Sequence, residues 1–160
     1  IGRMEPLTPE EIAARHRYMA VEANNLAWQM SVVERTPAED QEMLHAAHTA
    51  AWHWSKVGTE LHHMRAVMLL AEVHALCGLG QTAHAYSQMM FEYFTSRETE
   101  AWELAFTHTI HARVAFVAGR VEDYHTSYAK AVDMIASLND EDRPIVEKTF
   151  NSVPKPTTNG

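Results

Sequence analysis

Cysteine is almost missing. Cys77 is the only one, so the chain can build neither a disulfide framework nor a cysteine-based zinc site. Proline is absent between Ala38 and Arg143, its six copies lying at 6, 9, 37, 144, 154 and 156. No pyrrolidine ring therefore breaks a helix in that stretch. Glycine is sparse there too, at 58, 78, 80 and 119 only. Long apolar runs are lacking: the longest, residues 66–71, is six residues, against the roughly 20 a membrane-spanning helix needs. Basic residues are in deficit, 13 against 21 acidic ones, for a net charge of −8 with neutral histidines. That balance argues against nucleic acid or an anionic membrane as the main partner. The opening residues lack the basic-then-apolar pattern of a secretory signal, and with one cysteine the expected compartment is the cytoplasm.

What is present reads as helix. The chain has 160 residues, 46% apolar and 21% charged, enough for one domain with one core. The four central glycines cut the middle into helix-length pieces, glycine being the preferred residue just past a helix end. Thr8-Pro9-Glu10-Glu11 supplies a capping threonine, a first-turn proline and a glutamate three residues after the cap. Thr36-Pro37-Ala38-Glu39 repeats the signal, and Asn139 with Asp142 before Pro144 is a weaker version. No segment alternates apolar and polar residues as a strand does. The expectation is seven helices, over about 9–34, 37–57, 60–77, 81–95, 98–118, 121–138 and 141–150, forming a single all-α domain. Residues 1–8 read as a disordered or non-native leader, with Met4 as the natural start after Ile1-Gly2-Arg3. Residues 151–160, polar with Pro154 and Pro156, read as a flexible tail.

Two stretches are alike once glycines are aligned. Residues 71–78 (Ala-Glu-Val-His-Ala-Leu-Cys-Gly) lie over residues 112–119 (Ala-Arg-Val-Ala-Phe-Val-Ala-Gly). A small residue seven before a glycine, with a new helix behind it, is a helical-hairpin pattern. It resembles the tetratricopeptide repeat: Ala112, Gly119, Tyr128 and Ala131 fall at that motif's small, turn, aromatic and small positions. Ala115 and His74 stand where the motif has an aromatic, and each copy exceeds the usual unit of roughly 34 residues. Residues 54–59 (Trp-Ser-Lys-Val-Gly-Thr), Arg65 before 69–74, Leu104-Ala105-Phe106 running to Ala112-Arg113, and Asp140-Glu141-Asp142-Arg143 resemble a group of uncharacterised bacterial helical-repeat proteins. The resemblance implies antiparallel helical hairpins stacked as a short right-handed array, and no reaction.

In repeats of that kind the first helix of each hairpin lines the concave surface. Counting from Ala71 and Ala112, the stripe is Arg65, Met68 and Glu72 on the third helix and Phe106, Thr109 and Arg113 on the fifth. Such a groove suits an extended peptide of a protein partner or a small carboxylate-bearing ligand. The functional expectation is a non-catalytic binding or scaffold module, or a small-molecule sensor using the same groove, with no cofactor.

The rival reading uses the 11 histidines. His45 with His48, and His108 with His111, are spaced three apart and so share a helix face. With His74 they are the candidate metal ligands, although the His-Glu-x-x-His signature does not occur. The plainer account makes His74, His108 and His111 core aromatics, each needing a hydrogen-bond partner. Cys77 beside a helix-ending glycine reads as packing rather than a nucleophile. Glu122-Asp123 and Asp140-Glu141-Asp142 sit at helix starts, where they complement the dipole. Trp52 and Trp54 cannot both face inward. Met89-Met90-Phe91 with Tyr93-Phe94 makes the end of the fourth helix apolar all round, suited to burial or to a homodimer contact.

Overall fold

A computed structural model gives the chain seven helices and, among the described residues, no strand; it describes Gly2 and residues 4–157. Ile1 and Arg3, part of the expected leader, and the last three residues lie outside the described residues. The helices are α1 (Pro9–Ser31), α2 (Pro37–Val57), α3 (Glu60–Leu76), α4 (Gly80–Thr95), α5 (Ala101–Val117), α6 (Val121–Ala136) and α7 (Arg143–Phe150). None is long and apolar enough to cross a membrane.

The starts follow the capping chemistry. Thr8 Oγ1 accepts from the Glu11 amide, and Thr36 and Glu39 form a reciprocal capping box. Thr59 does the same for α3 with His62 in the place of the glutamate. Gly78 and Gly119, both at φ of 75°, end α3 and α5 in the left-handed conformation that costs glycine nothing. The α4–α5 connection runs to residue 100, three residues longer than expected. Thr99 Oγ1 donates to the Phe94 carbonyl and Arg97 Nε to the Tyr93 carbonyl, tying the chain down before α5 can begin.

Consecutive helices pack as hairpins, α1 on α2, α3 on α4 and α5 on α6, with α7 closing the far end. The odd-numbered helices also touch one another in turn, α1 on α3, α3 on α5 and α5 on α7. The even-numbered ones do not meet one another, so the stack is tight on one layer and splayed on the other. The tight layer is that of the odd-numbered helices.

The core divides between Ala27, Met43, Leu69, Leu70 and Val73 under the first hairpin and Met68, Met90, Phe94, Ile110 and Val114 in the middle. α5 is buried on nearly every side from Glu103 to Ala115, which accounts for its lack of amphipathic pattern. Its Thr107 and Thr109 hydroxyls satisfy themselves on the carbonyls four residues back, at 2.8 Å each. Met90 and Phe94 are inside and Phe91 is half-buried against α5, so of the two expectations for the apolar end of α4, burial or a dimer contact, it is burial by its own chain that is found, with Met89 left exposed.

The tail departs from expectation over residues 151–157. Val153 is buried against Ala112, Ala115 and Tyr124, and the Tyr124 hydroxyl donates to the Pro154 carbonyl. Its composition is that of a loose segment, but one valine and two backbone carbonyls find partners on α5 and α6.

Candidate functional site

The odd-helix layer carries a cleft of about 430 Å³ between α1, α3, α5 and α7. Its base is Trp28 from α1, Met68 from α3 and Trp102 with Phe106 from α5, and Ile145 and Lys148 of α7 form the rim. The aromatic rings support one another: Trp28 lies 5.8 Å from Phe106, and Trp102 meets Phe106 edge-on at 6.3 Å. They stand together because the odd helices bring residue 28, residues 102 and 106, and residue 145 to the same side.

Charge in the cleft is largely spoken for. Arg65 donates from Nε and Nη2 to both oxygens of Glu103, at 2.6 and 3.0 Å, and lies over the Trp102 ring at 5.5 Å. The Glu103 hydrogen bond, with a smaller charge contribution, pushes the Arg65 pKa up against desolvation. Lys148 is exposed and makes no ion pair among the described residues, so it is the cleft's available cation.

Of the six stripe residues expected on this face, Arg65, Met68 and Phe106 line the cleft. Glu72, Thr109 and Arg113 do not; they are buried. Arg113 Nε stands 2.7 Å from Glu72 Oε1, at side-chain exposures of 6% and 1%. The N–H misses the oxygen, leaving an ion pair rather than an aligned hydrogen bond. The guanidinium turns its other nitrogens to the chain end, donating to the Ser152 and Thr149 carbonyls and to Ser152 Oγ. α7 and the segment behind it therefore cover this half of the stripe. Burial raises the Glu72 pKa, and the opposing pull of Arg113 offsets it only in part. Trp28, Val32, Trp102, Glu103, Ile145 and Lys148 were missed in the sequence, which offered a stripe on two helices while the cleft takes side chains from four.

The five candidate metal ligands fall in two places. His48 and His74 come together edge-on at 5.3 Å, with His45 exposed one turn from His48 on α2. The His74 Nδ1–H donates to the Leu70 carbonyl at 2.7 Å, which fixes its tautomer. His108 and His111 form a separate group, around Phe91 of α4. His111 stacks on that ring at 4.1 Å, accepts from the Ser127 hydroxyl and donates weakly to Gln88. His108 is buried with its Nδ1 unpaired. Among the described residues no three His, Cys, Asp or Glu side chains converge closely enough to hold a metal ion. Burial pushes the Cys77 thiol pKa up, the opposite of what an activated nucleophile needs.

Burial also lowers the His108 pKa to about 4, with His111 and Lys130 adding to it. Between that value and the ordinary 6.5 the unfolded chain binds a proton the folded chain does not. Stability is therefore full above 6.5, falls as pH drops towards 4, and loses nothing more from this group below that. The loss is at most about 3 kcal/mol and about 2 with solvent screening. Glu72 has a raised folded pKa, so its share is present at low pH and lost as pH rises, working against His108 in the same window. The readout is accordingly the difference between wild type and His108→Leu in urea midpoint from pH 7 to pH 4.5. That difference is expected to move in favour of the variant as pH falls; a constant difference would refute the assignment.

No family model, curated protein or solved structure matches this chain. The functional reading therefore rests on the cleft itself.

Proposed function

We propose that the chain is a cytoplasmic binding module of the tetratricopeptide-like kind, holding a peptide segment of a protein partner on its odd-helix face, without chemistry of its own. The observation that carries this is the cleft of Trp28, Met68, Trp102 and Phe106, an aromatic-floored recess on the odd-helix layer. Hairpin arrays present such inner faces to partners because their neighbouring units share stability along the stack. The cleft fits an aromatic or aliphatic side chain of an extended segment, and Lys148 on the rim is placed for an adjacent carboxylate or backbone carbonyl.

The test is selection from a displayed peptide library against the purified chain, followed by tryptophan fluorescence titration of the selected peptides. Ile145 is 61% exposed, so Ile145→Glu changes the rim without disturbing the core. It is expected to weaken binding about tenfold or more, the equivalent of about 1.4 kcal/mol, at an unchanged melting temperature. Peptides that bind both proteins alike would overturn the reading.

A second reading uses the same cleft for a small apolar carboxylate, because its volume lies within the range of about 300–1,000 Å³ common for small-molecule sites. It is favoured if a metabolite panel yields a thermal shift that Ile145→Glu and Lys148→Glu each abolish, while peptide selection yields nothing.

A further inference from the structure

Among the described residues the stack is covered at one end only. α7 and the docked segment behind it cover the α5–α6 end, whereas among the described residues no further element lies on the outer side of α1 and α2. Repeat arrays need a polar outer face on their terminal units to stay soluble. On α1 the exposed polar residues Glu11, Arg15, Glu22 and Gln29 are bordered by an apolar stripe. Ile12, Met19, Leu26 and Val33 recur every seven residues along its outer side and its continuation, and are 44, 42, 38 and 56% exposed. At seven-residue spacing they form one stripe, the pattern of a helix that packs along another helix. Beside the stripe a groove of about 510 Å³ runs between α1 and α2, with Met19, Ala23 and Leu26 on one wall and Ala46 on the other.

We propose that this face is a two-fold interface, and that its occupant is α1 of a second copy of the chain, laid antiparallel. The charges choose that occupant. Arg15 and Glu22 flank the stripe on the same side, one on each side of Met19 along the helix, and both are exposed. A two-fold axis beside Met19 sets Ile12 against Leu26 of the second copy and Met19 against its own counterpart. The same operation sets Arg15 against Glu22 of the second copy, and it does so twice, because an isologous contact repeats each pairing. A parallel arrangement in register would instead put Arg15 on Arg15 and Glu22 on Glu22. Glu42, on the α2 wall of the groove, adds negative charge where the incoming Arg15 arrives.

Helix periodicity turns Trp28 to the side of α1 opposite Met19, so both clefts stay open in such a dimer. Two helices of this length along the stripe, with flanking α2 contacts, bury on the order of 1,200 Å², the lower end for a specific pair. The dimer is therefore expected to dissociate measurably on dilution.

Sedimentation velocity on the full chain, from low micromolar to a few hundred micromolar, is the experiment. Wild type is expected to shift from the monomer mass towards twice that mass. Arg15→Glu and Leu26→Glu are each expected to weaken association about tenfold or more while leaving helical circular dichroism unchanged. Combining Arg15→Glu with Glu22→Arg restores the cross pairing and is expected to recover part of the loss, with Glu42 holding back the rest. A wild type that stays monomeric throughout overturns the proposal, as does a dimer indifferent to Arg15→Glu and Leu26→Glu. Recovery absent in the charge swap overturns the antiparallel pairing. The Ile145→Glu variant is expected to dimerise like wild type, which separates this face from the cleft.

Discussion

Replacing Arg113 by alanine is expected to cost about 3–5 kcal/mol of unfolding free energy, because it strands a buried carboxylate. Glu72 is 1% exposed and already holds its proton more tightly than a free glutamate with Arg113 in place. Without the guanidinium it has little left but the more distant charge of Arg35, so it will be neutral in the folded state over a wider range. The variant should then lose more stability than wild type as pH rises from 5 to 8, a difference that a merely lost packing contact would not produce. Removing both partners is a different experiment. Glu72→Leu with Arg113→Met takes away the desolvation cost along with the attraction, and is expected to return to within about 1–2 kcal/mol of wild type. What it cannot recover are the bonds from Arg113 to Thr149 and Ser152, which fasten the chain end. Urea denaturation of the three proteins at several pH values is the measurement. A loss below about 1 kcal/mol for Arg113→Ala would mean that water reaches the pair.

Ending the chain at Phe150 is expected to lower stability by on the order of 3 kcal/mol, although the removed segment looks like a dispensable tail. Val153 would no longer cover Ala112 and Ala115, Tyr124 would lose the carbonyl of Pro154, and Arg113 would lose both contacts to Ser152. Thermal melts of the shortened and full chains give the answer directly. A difference below about 0.5 kcal/mol, the usual effect of a surface change, would return the segment to the status of a loose tail. Hydrogen exchange supplies the spatial check, since protection should fall along α5 and α6 near Ala112 and Tyr124 and stay unchanged in α1 and α2.

The positions of the helices were legible in the residues because capping and termination are local chemistry. Thr8-Pro9, Thr36-Pro37, Gly78 and Gly119 act within four residues of themselves, and the observed ends fall close to where they point. The α5 start at Ala101 was less legible, since Arg97 and Thr99 hold the loop through carbonyls of the preceding helix, with neither glycine nor proline to mark it. The candidate stripe was half legible for a similar reason. Periodicity puts Arg65, Met68 and Glu72 on one face of α3, and Phe106, Thr109 and Arg113 on one face of α5. Periodicity carries no information on what arrives from elsewhere in the chain. α7 returns over the far half of the stripe and turns Glu72 and Arg113 into a buried ion pair, while Trp28 and Ile145 arrive at the near half and make it a cleft. The histidines divide in the same way. Three-residue spacing sets His108 beside His111, but only the packing of α4 and α6 gave His111 its serine and left the His108 Nδ1 unpaired. Sequence by itself determined an all-helical chain of seven segments and which residues share each helix face, because those depend on neighbours within a turn or two. Tertiary structure alone decided which face is covered, since burial depends on helices tens of residues away that only folding brings together.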